Sequence, residues 1–279
     1  MLSYRHAFHA GNFADVHKHV ILALLLQSLR AKPKPFCCYD THAGAGVYDL
    51  TEQAAQKTGE FHGGIERLWP ITGAESLGGY LDAVRALNPD GSLHYYPGSP
   101  GIARHFLRAA DRMVLMELHP ADHAALRQNF RNDKRVAVHR RDGFEGLPAL
   151  VPPQEKRGLV LIDPPYEVKA DYGAVVPAVR EAHKRWPGGI YAVWYPVLAG
   201  NPAQRLLDDL KKSGLRNVLR SEFYIAPPDT PLGLNGSGMV IVNPPWQIDA
   251  CIAAAVAEME KRLDTDEAPA PLLDWWIPE

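Results

Sequence analysis

Four consecutive residues, Asp163-Pro164-Pro165-Tyr166, combine the groups that make an exocyclic amine nucleophilic. The lone pair of such an amine is delocalised into its ring. Two acceptors that grip its two N–H bonds draw the nitrogen toward tetrahedral geometry, and here Asp163 offers a carboxylate and Pro164 a carbonyl. The prolines fix φ and remove two backbone donors, which leaves the carbonyls of the turn to accept from outside. The Tyr166 ring supplies a stacking surface for a base, worth about 1–3 kcal/mol. Attack on an activated methyl group then depends on in-line positioning more than on acid–base strength. A second copy of the pattern, Asn243-Pro244-Pro245-Trp246, lies far downstream.

Such groups act only where strands aim them. Short apolar runs alternate with amphipathic stretches in the manner of βαβ units. The spacing of Val16, Val20, Ala23, Leu24 and Leu26 predicts a helix over Ala14–Leu29, stopped by Pro33 and Pro35. A strand over Pro35–Tyr39 follows and ends in Asp40-Thr41-His42-Ala43-Gly44-Ala45-Gly46. In Pro97-Gly98-Ser99-Pro100, Ser99 reads as an N-cap with proline at the first helical position, opening a helix over Ile102–Ala110. Strands are expected at Arg112–Glu117, Val136–His139 and Gly158–Asp163, with a helix at Ala121–Phe130. Later strands are expected at Gly189–Trp194, Val218–Ile225 and Gly238–Val242. Near-continuous apolar strands with helices between them imply an α/β, Rossmann-like fold, a mostly parallel sheet with helices on both faces.

In an open sheet of this kind ligands bind beyond the carboxyl ends of the strands, where strand order reverses. Those ends form a series: the small-residue loop Asp40–Gly46, then Glu117, then Asp142-Gly143, then Asp163. An acid at the second tip can accept both hydroxyls of a ribose, and an acid after the third can accept from an adenine amino group. The site is therefore shaped for an adenosine. The loop lacks the third glycine of G-x-G-x-x-G and no helix starts at once behind it, which disfavours a pyrophosphate. Position also separates the two proline tetrapeptides. Asp163 follows the fourth strand, beside the glycine loop, whereas Asn243–Trp246 follows three further strands and reads as structural.

The chain has 279 residues, 46% apolar and 22% charged, which excludes wholesale disorder. Its longest apolar run, VILALLL, is far short of a membrane span, and Arg5 and His6 stand where a signal peptide would be apolar. Three cysteines cannot frame a disulfide fold, so Cys37 and Cys38 read as buried thiols of a soluble, cytoplasmic protein. Net charge is only −2, yet its distribution is uneven. Residues 1–35 hold five Lys and Arg against Asp15, residues 127–142 hold six against two acids, and residues 249–279 hold eight acids against two bases. Two basic patches and an acidic tail suit a phosphate-facing surface opposed by a repelling one. Residues 48–96 interrupt the alternation and read as a small helical insertion. The remaining segments, 1–47 and 97–279, make the main domain, with 1–35 as a basic arm and helix. His6-x-x-His9 and His17-x-His19 have a spacing open to zinc, but Lys18 opposes a dication and no metal site is assigned.

Several stretches together resemble the RlmJ family: residues 2–12, Asp15 to His19, Asp40–Gly46, Tyr96–Pro100, Glu117–Pro120, Asp142-Gly143-Phe144, Leu161–Glu167 and the terminal Ile277-Pro278-Glu279. The likeness runs through essentially the whole chain. It implies an S-adenosyl-L-methionine-dependent enzyme that methylates N6 of an adenine in 23S ribosomal RNA, protein-free or in an early assembly intermediate, with no membrane and no obligate protein partner. It further implies cofactor contacts from His19, His42, Ser99, Glu117, Asp142, Gly143 and Asp163, catalysis at Asp163, Pro164 and Tyr166, and RNA contacts from Tyr4, His6 and Lys18. The residues alone single out Ser99, Glu117, Asp142 and Asp163 but not His19. A DNA adenine methyltransferase and a non-catalytic nucleic-acid-binding protein on the same fold are the rival readings. The first is disfavoured by an insertion of only about 49 residues, the second by acids at every expected strand tip. An enzyme acting on glutamine would carry Asn where Asp163 stands.

Overall fold

The computed structural model describes residues 5–167, 169–231, 233–265 and 267–278, so Tyr4 lies outside the described residues. The elements follow in the order α1 (Phe13–Arg30), β1 (Cys37–Asp40), β2 (Val47–Asp49), α2 (Gln53–Thr58), α3 (Ile65–Leu68), α4 (Glu75–Ala86), β3 (Tyr95–Pro97), α5 (Ser99–Phe106), β4 (Arg112–Met116) and α6 (Pro120–Phe130). The second half comprises β5 (Val136–His139), α7 (Gly143–Leu150), β6 (Gly158–Ile162), α8 (Lys169–Arg185), β7 (Ile190–Val197), α9 (Gln204–Lys212), β8 (Val218–Tyr224), β9 (Gly236–Val242), α10 (Ile248–Glu260) and β10 (Leu272–Ile277).

Eight strands form one sheet in the order β10-β8-β9-β7-β6-β1-β4-β5. The block β7-β6-β1-β4-β5 is parallel, β9 inserts antiparallel between β7 and β8, and β10 pairs antiparallel with β8. The chain proceeds outward from β1 through β4 to β5, then returns to the other flank of β1 with β6. Strand order therefore reverses between β1 and β6, which opens a crevice at their carboxyl ends.

Alternation sorts the strand residues into two cores. Cys38, Leu115, Leu159, Leu161 and Ala192 pack toward α1, α4, α5 and α10. Cys37, Tyr39, Val160, Ile162 and Val193 pack toward α7, α8 and α9. Helix α1 is buried around most of its circumference, the mark of a core helix. Its Asn12 cap accepts from the Asp15 N–H at 2.9 Å.

Several expectations need correction. Ser99 is not the cap of α5. Gly98 holds that place, its carbonyl accepting from Ile102, and Ser99 becomes the first helical residue. The same helix stops at Phe106 rather than Ala110, because Leu107 turns extended and Asp111 draws the Arg108 N–H into a new turn. Residues 48–96 are mostly helical, but β2 and β3 at their two ends pair in a short antiparallel ladder. The acidic C-terminal stretch contains β10, a strand that mixed residues such as Asp274 and Trp275 concealed. Cys37 and Cys38 are buried, whereas Cys251 is exposed. Among the described residues no helix is long and apolar enough to cross a membrane.

Candidate active site

A cavity of about 650 Å³ opens at the β1/β6 crevice, within the roughly 300–1,000 Å³ usual for small-molecule sites. His19, His42, Ser99, Glu117, Asp142, Gly143, Asp163, Pro164 and Tyr166 all line it, as do His6 and Lys18. Tips of β1, β4, β5 and β6 thus meet in one place.

The loop after β1 is fixed from several sides. Gly44 donates its N–H to Glu117 at 2.8 Å. Ala45 donates to the Tyr48 hydroxyl and accepts from the Asn129 amide at 2.9 Å. Gly46 accepts from the Gly98 N–H at 3.1 Å. Gly46 has φ +78°, and a Cβ there would stand 2.7 Å from the Phe130 ring, so only glycine fits. The second Glu117 oxygen accepts from the His119 N–H at 2.7 Å. Burial pushes the Glu117 carboxyl above its usual value, against the two backbone bonds. Each oxygen keeps a lone pair for a further donor.

Asp142 caps α7, accepting from Phe144 and Glu145 through one oxygen. Only its other oxygen is left for a ligand, which narrows the expected adenine contact. A Cβ on Gly143 would collide with the Thr41 carbonyl, so the β5 tip packs directly on the β1 loop. His42 sits edge-on to Phe144 with centroids 4.9 Å apart, and burial lowers its imidazole to about 4. Burial likewise takes His19 down to about 3, leaving it neutral beside the Tyr96 hydroxyl at 2.8 Å.

Asp163 does not stand alone. Its Oδ2 accepts from the Lys18 ammonium at 2.5 Å, and Lys18 also lies 2.8 Å from Asp15 Oδ1. Lys18 is only 4% exposed, so its charge is directed at these two carboxylates rather than offered to solvent. Burial opposes the charge on Lys18, but the two acids more than offset it and raise the pKa. Burial alone would raise Asp15; the charges of His6 and Lys18 instead hold it well below the usual carboxylate range. Its Oδ2 accepts from His6 at 2.9 Å and from the Gly11 N–H at 3.0 Å.

Tyr166 adopts φ +53°, turning its ring against Tyr172 and Trp194, and its hydroxyl donates to the Trp194 carbonyl at 2.6 Å. With 8% of its surface exposed it borders the cavity from below, and little of the ring faces an incoming base. The other histidines have separate engagements: His17 is buried between Ser221 and Ser237, and His9 meets Glu60. Asn243 commits its amide to the carbonyls of Pro187 and Gly189, far from the cavity.

Sequence reasoning missed Asp15, Asp40 and Trp194. Asp40 ends β1 at 3% exposure beside Ser99, and burial pushes its carboxyl up to about 7. It carries the same strand-tip signal as Glu117. Asp15 and Lys18 stand three residues apart on a predicted helix, the spacing of a helical ion pair. Trp194 had no such signal, since its side chain reaches the cavity from within an apolar run. The basic arm is also divided. Arg5 and Lys18 lie toward the cavity end of α1, while Arg30, Lys32 and Lys34 lie at or beyond its other end, Arg30 about 18 Å from Lys18 by helical rise.

Comparison with known proteins gives consistent results. The family model described as "Ribosomal RNA large subunit methyltransferase D, RlmJ" matches residues 33–277. A protein named ribosomal RNA large subunit methyltransferase J from Escherichia coli (strain K12) is 44% identical over 280 residues, all of both chains. Its namesake from Haemophilus influenzae is 44% identical over 281 residues, again all of both chains. A crystal structure of a Legionella pneumophila protein, 34% identical, superposes with a TM-score of 0.87, covering 95% of this chain and 98% of that one.

Proposed function

The chain belongs to the RlmJ family of ribosomal RNA large subunit methyltransferases, and on that premise we propose that it transfers a methyl group to the exocyclic amine of an unpaired or turned-out adenine in 23S ribosomal RNA. The observation that carries this reading is the meeting of Asp163 with the glycine loop across one cavity at the strand-order switch.

S-adenosyl-L-methionine is the methyl donor, and its positively charged sulfonium supplies the electrophilic carbon. The residues present fit it. Glu117, already pinned by two backbone donors, keeps acceptor capacity aimed at a ribose. Asp142 keeps one oxygen for an adenine amino group, and Gly143 leaves room against Thr41. His19, His42 and Ser99 line the rest of the cofactor's seat, with both imidazoles neutral and so without repulsion toward a cation. Asp163 and the Pro164 carbonyl accept from the two N–H bonds of the target amine. Lys18 holds the Asp163 carboxylate in place, and Asp15 shares that ammonium. His6 and Tyr4 belong to the arm that meets the RNA. Tyr166 fixes the turn through Trp194 and shapes the floor under the base.

Residues 48–96 form an insertion on the main domain and lend Tyr48, Glu60 and Gly63 to the cavity rim. The substrate is the protein-free RNA or an early assembly intermediate, since a turned-out base must reach a recessed carboxylate, and the reaction takes place in the cytoplasm. Mapping methylated adenines in total RNA from cells with and without the protein tests the reading. One adenine of 23S RNA losing its methyl group supports it. Transfer to duplex DNA in preference to protein-free 23S RNA overturns it.

A further inference from the structure

The proposed RNA substrate needs a cationic surface that the cavity does not provide, because Lys18 is consumed by carboxylates and the Arg30, Lys32 and Lys34 group lies at the far end of α1. A surface of the right kind exists at the opposite flank of the glycine loop. His123 and Arg127 on α6, and Arg131 at its C-terminal cap in helical conformation, are spaced four residues apart and share one helical face. Arg140 and Arg141 follow edge strand β5, whose residues are only half covered, and lead directly to Asp142 on the cavity wall. Arg127, Arg131, Lys134, Arg140 and Arg141 are all exposed, and none forms an ion pair among the described residues. His123 lies close enough to Arg127 and Arg140 that partial burial and their charges hold it below its ordinary value.

At the distal end of α6 the ridge drops into a hollow of about 480 Å³ lined only by polar residues, among them Arg104, Arg131, Arg135, Asn129 and Asn132. Two of its arginines are held in position. Arg104 lies over the Phe130 ring at 4.8 Å and donates to the Asn129 carbonyl, while Arg135 is gripped by Asp133 and the Leu107 carbonyl. Asn129 also donates to Ala45, so the hollow and the glycine loop are joined by one side chain. From His119 at the cavity to the hollow is about 16 Å along α6.

We propose that the α6–β5 ridge and its arginine hollow form the docking surface for the RNA backbone flanking the target base. The proposal rests on the RNA reading given above. Rows of arginine and amide side chains suit phosphate and sugar oxygens, and the hollow offers no apolar lining for a lipid or a hydrophobic peptide. This ridge sets register and affinity, while the choice of base is left to the cavity.

The test compares two triple charge reversals of equal net change, Arg127→Glu/Arg131→Glu/Arg140→Glu on the ridge and Arg30→Glu/Lys32→Glu/Lys34→Glu at the far end of α1. Binding of a fluorescein-labelled transcript of 23S RNA is followed by anisotropy from about 50 to 200 mM salt, with cofactor titration calorimetry and melting on the same samples. The ridge variant should bind RNA at least about tenfold more weakly, and its plot of log affinity against log salt should flatten by roughly two to three, one unit per lost phosphate contact. The far-end variant should bind within about threefold of the parent, and both should bind cofactor and melt as the parent does. Equal RNA loss in the two variants, or no loss on the ridge, overturns the proposal. So does binding of an acidic peptide, poly-glutamate, to the ridge that the RNA transcript fails to displace. If the parent binds the transcript through the ridge yet methylates no adenine, the functional reading fails while the docking surface stands.

Discussion

Replacing Lys18 by methionine should expose how far this fold depends on one shared ammonium. Lys18 lies 2.8 Å from Asp15 and 2.5 Å from Asp163. Methionine fills most of the side chain's volume and removes the ammonium, its charge and its N–H donors together. Breaking a buried pair costs about 3–5 kcal/mol, and Asp15 retains His6 and the Gly11 N–H, so the lower end, about 3 kcal/mol, applies. For 279 residues the unfolding entropy is about 0.6 kcal/mol/K, which converts that loss to a melting drop of about 5 °C. The sign with pH is fixed by the two groups. Asp15 is held low, so its stabilising contribution is present above the ordinary carboxylate range and lost only as pH falls below that range through the lowered value; Lys18 is held high, so its contribution persists until pH rises past the ordinary lysine range. The parent is therefore intact at neutral pH, and the variant's deficit should be largest near pH 7–8 and shrink toward pH 5, where a carboxyl freed of its cation takes up a proton. Urea unfolding of both proteins across that range reads it. A variant melting within about 1 °C of the parent at pH 7.5 refutes the claim that Lys18 balances buried charge.

Other perturbations separate the roles in the cavity. Asp163→Asn should leave cofactor affinity within a few-fold and lower transfer by roughly 10²–10³; near-normal turnover removes Asp163 from the chemistry. Glu117→Gln should weaken cofactor binding about tenfold or more, as expected for a charge-assisted bond worth about 1.5–3 kcal/mol, and calorimetry showing an unchanged affinity would dismiss its place on the ribose. Burial pushes the Asp40 carboxyl up to about 7, so ionising it opposes folding as pH rises from the ordinary carboxylate range. Asp40→Asn should flatten the parent's loss of stability between about pH 4 and 7, and identical pH profiles would show that Asp40 does not titrate there.

The sequence exposed the strand tips because a carboxylate after four or five apolar residues stands out, as at Glu117 and Asp163, and each of those tips reaches the cavity. It exposed less wherever neighbours in sequence part company in space. His17 and His19 look alike in the chain, yet one faces Ser221 and Ser237 across the sheet while the other faces Tyr96. The basic residues of the N-terminal stretch read as one patch, but a full-length helix lies between Arg5 and Arg30. Ser99 carried every local mark of a cap, and the backbone of Gly98 took that place because Gly46 draws it in. β10 escaped notice because its stability comes from pairing with β8, including the two bonds between Arg220 and Asp274, rather than from its own pattern.

The turn spanning Gly44 to Gly46 has two of its amides and two of its carbonyls engaged before any ligand arrives, by Glu117, Tyr48, Asn129 and Gly98. An incoming cofactor meets a finished seat, and little chain freedom is surrendered on its arrival. The same Asn129 that closes this seat also borders the arginine hollow, so a change on the outer helix is felt at the place that grips the donor.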